Sequence, residues 1–152
     1  AFDGFDIHVD AIVGPGFSDT QEHSIRTAAE KVSAEVSVAR DPTDLVDRML
    51  QADFAVSTAS STTYELLALG TPIISIPVAD NQEPIAHSLR KRDAAFVLKR
   101  EADTEEFRNS IQIYVSTPES RRAYRDFGRQ LVDGRGTERI CAEVLSIAEN
   151  KK

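Results

Sequence analysis

The sequence predicts an α/β protein built on an open parallel sheet, with helices on both faces and a helical C-terminal tail. Three observations lead there. The first two-thirds of the chain alternates short β-rich runs with amphipathic helical patterns, the order that βα units need. After Leu98 only helical periodicity remains. No linker is long enough to divide the 152 residues, so one domain spanning 1–152 is expected.

The elements follow in order. Asp6–Val13 alternates and is rich in β-branched residues, the pattern of a half-buried strand. Gly14-Pro15-Gly16-Phe17 breaks it, as a tight turn feeding a helix capped by Ser18 or Asp19. Ile25, Ala28, Ala29 and Val32 recur at helical spacing. Glu35–Val38 reads as a second strand, closed by Arg40-Asp41-Pro42, and Leu45, Val46, Met49 and Leu50 mark a short helix. Phe54–Val56 and Ile73–Ile76 are strands three and four. The helix between them starts near Ser61 and stops at Gly70, with Pro72 behind it. Ile85–Arg92 is helical and Ala95–Leu98 is the fifth strand. The tail carries three apolar stripes: Phe107, Ile111 and Val115; Tyr124, Phe127 and Leu131; Ile140, Val144 and Ile147. The arginines at 121, 122, 125 and 129 read as a solvated helix face balanced by Glu119 and Asp126.

Composition narrows the function classes. Eighteen basic against 25 acidic side chains leave a net charge of −7. Such a domain repels a phosphate backbone at long range, which argues against nucleic acid as a partner. Any phosphate it holds is expected to rest on local backbone N–H groups. No apolar run approaches the roughly 20 residues of a membrane span, and no basic segment followed by an apolar core suggests a secretory signal. Cys141 is the single cysteine, which excludes an internal disulfide and a Cys-based zinc cluster and fits a reducing, cytoplasmic setting. The three histidines, His8, His23 and His87, lie in different elements without metal-ligand spacing. No metal site and no cofactor are expected.

In an open parallel sheet, ligands bind beyond the carboxyl ends of the strands. Four loops should therefore gather at one rim: Gly14–Asp19, Ala39–Pro42, Ser57–Thr62 and Pro77–Gln82. The third, continuing through Thr63-Tyr64-Glu65, is small, rich in hydroxyls and opens a helix, where free N–H groups and the dipole attract an anion. The same residues also fit a capping box, with Thr62 as N-cap and Glu65 reaching back. In the fourth, Asp80, Asn81 and Gln82 offer adjacent donors and acceptors suited to sugar hydroxyls, or else a surface turn capping the next helix. Gly14-Pro15-Gly16 lacks the third glycine of a dinucleotide fingerprint, and no acidic residue ends the next strand. Nicotinamide and flavin dinucleotides are excluded on that ground. There is no G-x-S-x-G elbow.

Three runs carry a family resemblance: Ala52-Asp53-Phe54-Ala55-Val56-Ser57, Ser61-Thr62-Thr63-Tyr64-Glu65-Leu66-Leu67-Ala68-Leu69-Gly70-Thr71-Pro72 and Ile76-Pro77-Val78-Ala79-Asp80-Asn81-Gln82. Together they resemble the C-terminal half of two-domain nucleotide-sugar enzymes of the GT-B fold, which is Rossmann-like. The nearest likeness is to UDP-sugar hydrolases of pseudaminic acid biosynthesis and related spore-coat polysaccharide proteins, and a more distant one is to the peptidoglycan N-acetylglucosaminyltransferases. Val13-Gly14-Pro15-Gly16-Phe17 looks like that family's early turn, and Asp133-Gly134-Arg135-Gly136-Thr137-Glu138-Arg139-Ile140 looks like its approach to the final helix. The likeness runs from about residue 6 to residue 145.

The resemblance implies a donor site for a UDP-linked sugar in a glycosyltransferase-like enzyme, working by glycosyl transfer or by hydrolysis. Ser61, Thr62 and Thr63, with Ser60 beside them, would meet the diphosphate. Glu65 would accept hydrogen bonds from the ribose hydroxyls. Ala39, Arg40 and Asp41 would line the base through backbone groups, and Asp80, Asn81 and Gln82 would contact the sugar. Relatives carry two glycines where this chain has Ala59 and Ser60, which narrows the room for a diphosphate. They also carry an N-terminal domain, which holds the hydrolase's catalytic histidine. The chain opens on Ala1 rather than Met, so it is expected to be a piece of a longer protein, with no catalytic residue of its own. Its partner would be that N-terminal domain or a separate chain. A non-catalytic subunit that docks a catalytic partner is the alternative.

Overall fold

The structure is a computed structural model and describes residues 6–149. Its elements are β1 (His8–Val13), α1 (Asp19–Ala29), β2 (Glu35–Arg40), α2 (Leu45–Gln51), β3 (Ala55–Thr58), α3 (Thr62–Leu69) and β4 (Ile73–Ile76). A 3-10 turn at Asp80–Gln82 leads into α4 (Glu83–Arg92) and β5 (Phe96–Val97), followed by α5 (Thr104–Ser116), α6 (Pro118–Leu131) and α7 (Gly136–Glu149). This is an α/β fold with small parallel sheets flanked by helices and a helical tail. The strands form two sheets, β1-β2 and β3-β4-β5. The chain falls into two compact units that divide within α2, between Arg48 and Met49.

In the first unit β1 and β2 run parallel, in register from His8 opposite Glu35 to Val13 opposite Arg40. Strand side chains alternate between faces. Val9, Ala11, Val13, Val36, Val38 and Arg40 therefore share one face, and His8, Asp10, Glu35 and Ser37 the other. Arg40 ties the first face to α1 through Asp19 and Glu22. Arg48 of α2 reaches the other face at Asp10. The Gly-Pro-Gly turn closes with the Phe17 N–H on the Gly14 carbonyl, and Ser18 and Gln21 then form a reciprocal capping box on α1. β2 runs two residues beyond the Val38 end that the sequence suggests, so Ala39 and Arg40 are strand rather than loop.

In the second unit β4 is central, paired in parallel with β3 and β5. Ile73, Ile74 and Ser75 are all fully buried, so both faces of the strand are covered. α3 stops where the Gly-x-Pro signal places its end. Gly70 is left-handed at φ 76°, and the Thr71 N–H returns to the Leu66 carbonyl. Thr71 also bonds the Met49 carbonyl, buried, at 2.7 Å.

The tail packs differently from the stripes in one respect. On α5 the buried face centres on Ser110, Ile111 and Tyr114 rather than on Phe107, Ile111 and Val115. Tyr114 stacks on Phe54 at 5.4 Å, meets Tyr124 edge-on at 5.6 Å, and donates its hydroxyl to the Ile73 carbonyl at 3.0 Å. Burial pushes its phenol well above the ordinary range. α6 approaches α3 at Gly128, where a Cβ would stand 3.0 Å from the Leu67 carbonyl oxygen. The arginine run of α6 is not a solvated face throughout. Arg122 does pair with Glu119, but Arg121 donates to the Tyr114 and Val115 carbonyls and Arg129 to the Leu69 carbonyl. Cations on the last carbonyls of a helix satisfy acceptors that have no partner within it, so these two close the ends of α5 and α3.

Replacing Tyr114 by Phe keeps the ring stack and removes the buried hydrogen bond to the Ile73 carbonyl. Denaturant unfolding should show a loss of about 1–2 kcal/mol with an unchanged slope. Unchanged stability would mean that the hydroxyl contributes nothing.

Candidate functional site

Parallel pairing puts the carboxyl ends of β3, β4 and β5 along one edge of their sheet. Thr58 stands opposite Ile76 in the register, so the Ala59–Ser61 loop and the Pro77–Gln82 loop leave adjacent strands side by side. Two of the sequence's candidate groups, Ser60–Glu65 and Asp80–Gln82, share this edge. The third, Ala39–Asp41, belongs to the first unit.

α3 begins one residue before the capping box requires. Its N-cap is Ser61, which already has helical angles and makes no side-chain cap bond. Thr62 is thus the first helical residue and Glu65 the fourth, so the reciprocal Thr62–Glu65 box does not form. Tightened bonds close the first turn instead, from the Thr63 N–H to the Ser60 carbonyl and from the Tyr64 N–H to the Ser61 carbonyl, each 3.0 Å. Two amides at the helix start, Ser61 and Thr62, make no hydrogen bond among the described residues.

The side chains sort in the same way. Thr63 is fully buried and gives its hydroxyl to the Thr58 carbonyl at 3.2 Å, so it faces inward. Ala59 is also fully buried, with its methyl group turned into the core. The hydroxyls of Ser60, Ser61 and Thr62 and the carboxylate of Glu65 have no hydrogen-bond partner among the described residues, and Ser61 and Glu65 are exposed. In the neighbouring loop the Gln82 side-chain carbonyl accepts the Val78 N–H at 2.9 Å, which holds the loop on itself. Asp80 is paired with Arg100 at 2.6 Å, and Asn81 is exposed. Neither Asp80 nor Asn81 caps α4, whose N-cap is Gln82 without a side-chain bond.

Arg100 is the residue that sequence reasoning missed. It lies three residues past the end of β5 and so reaches the same edge, where it sets a positive charge against the Asp80 loop. The strand-to-loop signal at Leu98 was visible, but the pairing partner depends on which strand neighbours β5.

In the first unit, Arg40 is committed to Asp19, Glu22 and the Phe17 carbonyl. Its hydrogen bond, with that of Arg26, holds Glu22 below the usual carboxylate range. Asp41 donates its N–H to the Val13 carbonyl at 2.9 Å and takes a positive φ of 43°. The polar face of the sheet carries a ladder. Glu35 lies 3.5 Å from His8, His8 lies 3.3 Å from Ser37, and Ser37 donates to Asp10 at 2.8 Å. With its proton given to Asp10, Ser37 presents only its oxygen to the imidazole, which is not the arrangement of an activated nucleophile. Burial raises the Asp10 pKa, but the hydrogen bonds from Arg48 and Ser37 outweigh it and hold the carboxyl below its ordinary 3.8.

Among the described residues, no group of three or more His, Cys, Asp or Glu could hold a metal ion. No described helix is long and apolar enough to cross a membrane. Comparison with protein-family models gives no match, and comparison with curated proteins gives none either.

The lowered Asp10 pKa gives a signed pH dependence. The carboxylate's contribution is complete above the unfolded value and is lost as pH falls through the lower folded one. A carboxyl-carbon NMR titration should place the Asp10 inflection below 3.8, and Arg48→Met should move it upward. An inflection that Arg48→Met leaves unmoved would mean the guanidinium is not its cause.

Proposed function

We propose that this chain is the nucleotide-sugar-binding half of a glycosyltransferase-like enzyme that transfers a sugar from a UDP-linked donor or hydrolyses that donor. One observation carries the reading: two adjacent parallel strands deliver to one edge a helix start with unbonded amides and hydroxyls, and a polar loop beside it. A diphosphate would take the Ser61 and Thr62 amides, aided by the dipole of α3. The Ser60, Ser61 and Thr62 hydroxyls would complete its shell. Glu65, free of any cap, would accept the ribose hydroxyls, and Asn81 would meet the sugar. Thr63 and Gln82 support the site from behind, since their side chains are spent on the Thr58 carbonyl and the Val78 amide. The Arg40 side chain is spent on Asp19, Glu22 and the Phe17 carbonyl. Holding the donor this way supplies orientation and electrostatic stabilisation of a departing UDP. The base and the acceptor or water would come from a partner domain. We place this work in the cytoplasm, in keeping with the single exposed thiol.

A helix start with no opposing wall binds weakly, so UDP affinity is expected on the order of millimolar, about 4 kcal/mol. In an amide NMR titration UDP should shift Ser60–Glu65, while NAD should not. Shifts confined to Gly14–Asp19 would contradict the reading. The chain alone should release no UDP from UDP-sugars, and sustained turnover would place the chemistry here instead.

Glu65→Gln tests the ribose contact. Charge-assisted hydrogen bonds are roughly twice as strong as neutral ones. With no cap bond to lose, melting should be unchanged while UDP binding weakens. Early melting with intact UDP binding would assign Glu65 to the helix alone.

A further inference from the structure

The edge beyond β3, β4 and β5 carries an ion pair. Asp80, on the 3-10 turn after β4, meets Arg100, past the end of β5, with Oδ1 and Nη1 2.6 Å apart. The Asp80 side chain is 99% exposed and that of Arg100 46%. So exposed a pair adds little to stability, and neither group has a second hydrogen-bond or ion-pair partner among the described residues. The loops that carry it are nevertheless held. Gln82 closes one loop on the Val78 N–H at 2.9 Å. In the other, the Leu98 N–H reaches the Ser75 carbonyl at 2.9 Å, Arg90 donates to the Leu98 carbonyl at 3.0 Å, and the Ala102 N–H closes a turn on the Lys99 carbonyl at 3.1 Å. Lys99 and Glu101, exposed on either side of Arg100, offset each other in charge.

Strand order gives the pair its place. α3 starts beyond β3, the Asp80 loop leaves β4, and Arg100 follows β5. The pair therefore stands one to two strand spacings from the start of α3, about 5–10 Å. A hexose linked to a diphosphate on α3 can bridge that span. The chemistry of the pair is two-sided. A carboxylate only accepts hydrogen bonds and a guanidinium only donates them, whereas a sugar hydroxyl does both. One hydroxyl can give its proton to Asp80 and accept from Arg100. A carboxylate on the sugar can only accept, so it would reach Arg100 with the Asp80 charge beside it.

We propose, on the strength of the nucleotide-sugar reading above, that the Asp80–Arg100 pair selects the class of sugar: it takes an uncharged sugar through a free hydroxyl and discriminates against a uronic acid. Asp80 supplies the acceptor and the repulsion, and Arg100 holds Asp80 in place while donating to the same hydroxyl. Like unit charges about 4 Å apart in water set the size of the effect, a discrimination of about fivefold.

Amide NMR titrations of the chain with UDP, UDP-glucose and UDP-glucuronic acid test it. In the wild type the Kd of UDP-glucuronic acid should exceed that of UDP-glucose by about fivefold. Asp80→Asn keeps the size and removes the charge, so the ratio should fall to about one while the Kd of UDP stays unchanged. Arg100→Gln should weaken both UDP-sugars relative to UDP. Equal Kd values for the two sugars in the wild type, a preference for UDP-glucuronic acid, or a ratio indifferent to Asp80→Asn would overturn the proposal and leave the nucleotide site standing. An Asp80→Asn variant that loses UDP as much as it loses the sugars would also overturn it, since Asp80 would then act on the nucleotide. No shift at Ser60–Glu65 with UDP alone would instead remove the nucleotide-sugar reading, and the sugar selection with it.

Discussion

The pairing of β3 and β5 on either side of β4 is the constraint on which the second unit depends. All three strands run the same way, so their outgoing loops must leave at one edge, and a buried central strand fixes how close those loops stand. β4 occupies that place with Ile73, Ile74 and Ser75 fully buried, the Ser75 hydroxyl without a hydrogen-bond partner among the described residues. The Tyr114 hydroxyl on the Ile73 carbonyl ties α5 to the same strand. Loops hung from a strand held on both sides are positioned by the core rather than by their own contacts.

α3 inherits its place from this arrangement. Its far end is closed by left-handed Gly70 and by Arg129 on the Leu69 carbonyl, and its flank is pressed by Gly128 of α6. Its near end is left with little of its own: no side-chain cap, two tightened backbone bonds, and the inward hydroxyl of Thr63. A helix so well closed at one end and so open at the other has unused donors where the dipole is positive. The adjacent loop is complementary in construction. Gln82 spends its side chain on holding the backbone, Asp80 pairs with Arg100, and Asn81 is exposed.

Most of the fold was legible because it depends on local signals. Alternation marked β1, the Gly70-to-Pro72 stop marked the end of α3, and the stripes marked the three tail helices. What escaped depends on neighbours. Val38 ends the apolar alternation, but pairing with β1 carries β2 on to Arg40. The phase of α5 is set by Phe54, which selects Tyr114 over Val115. Arg121 and Arg129 look solvated in a helical projection until other helices place open carbonyls beneath them. At the site, the hydroxyl-rich run and the polar loop could be read directly. Whether Thr62 and Glu65 form a capping box could not, since a start one residue earlier removes it. Arg100 escaped for the same reason as the arginines of α6: its partner is fixed by the strand order.

The central claim is that the edge beyond β3 and β4 receives a nucleoside diphosphate, ribose against α3 and sugar against the Asp80 loop. Intermolecular NOEs in the presence of excess UDP-sugar test it most directly. The account predicts contacts from the ribose protons to the Glu65 side chain and from the sugar protons to Asn81. Contacts to the Gly14–Asp19 turn in their place, or none to either loop with the ligand at saturation, would contradict it.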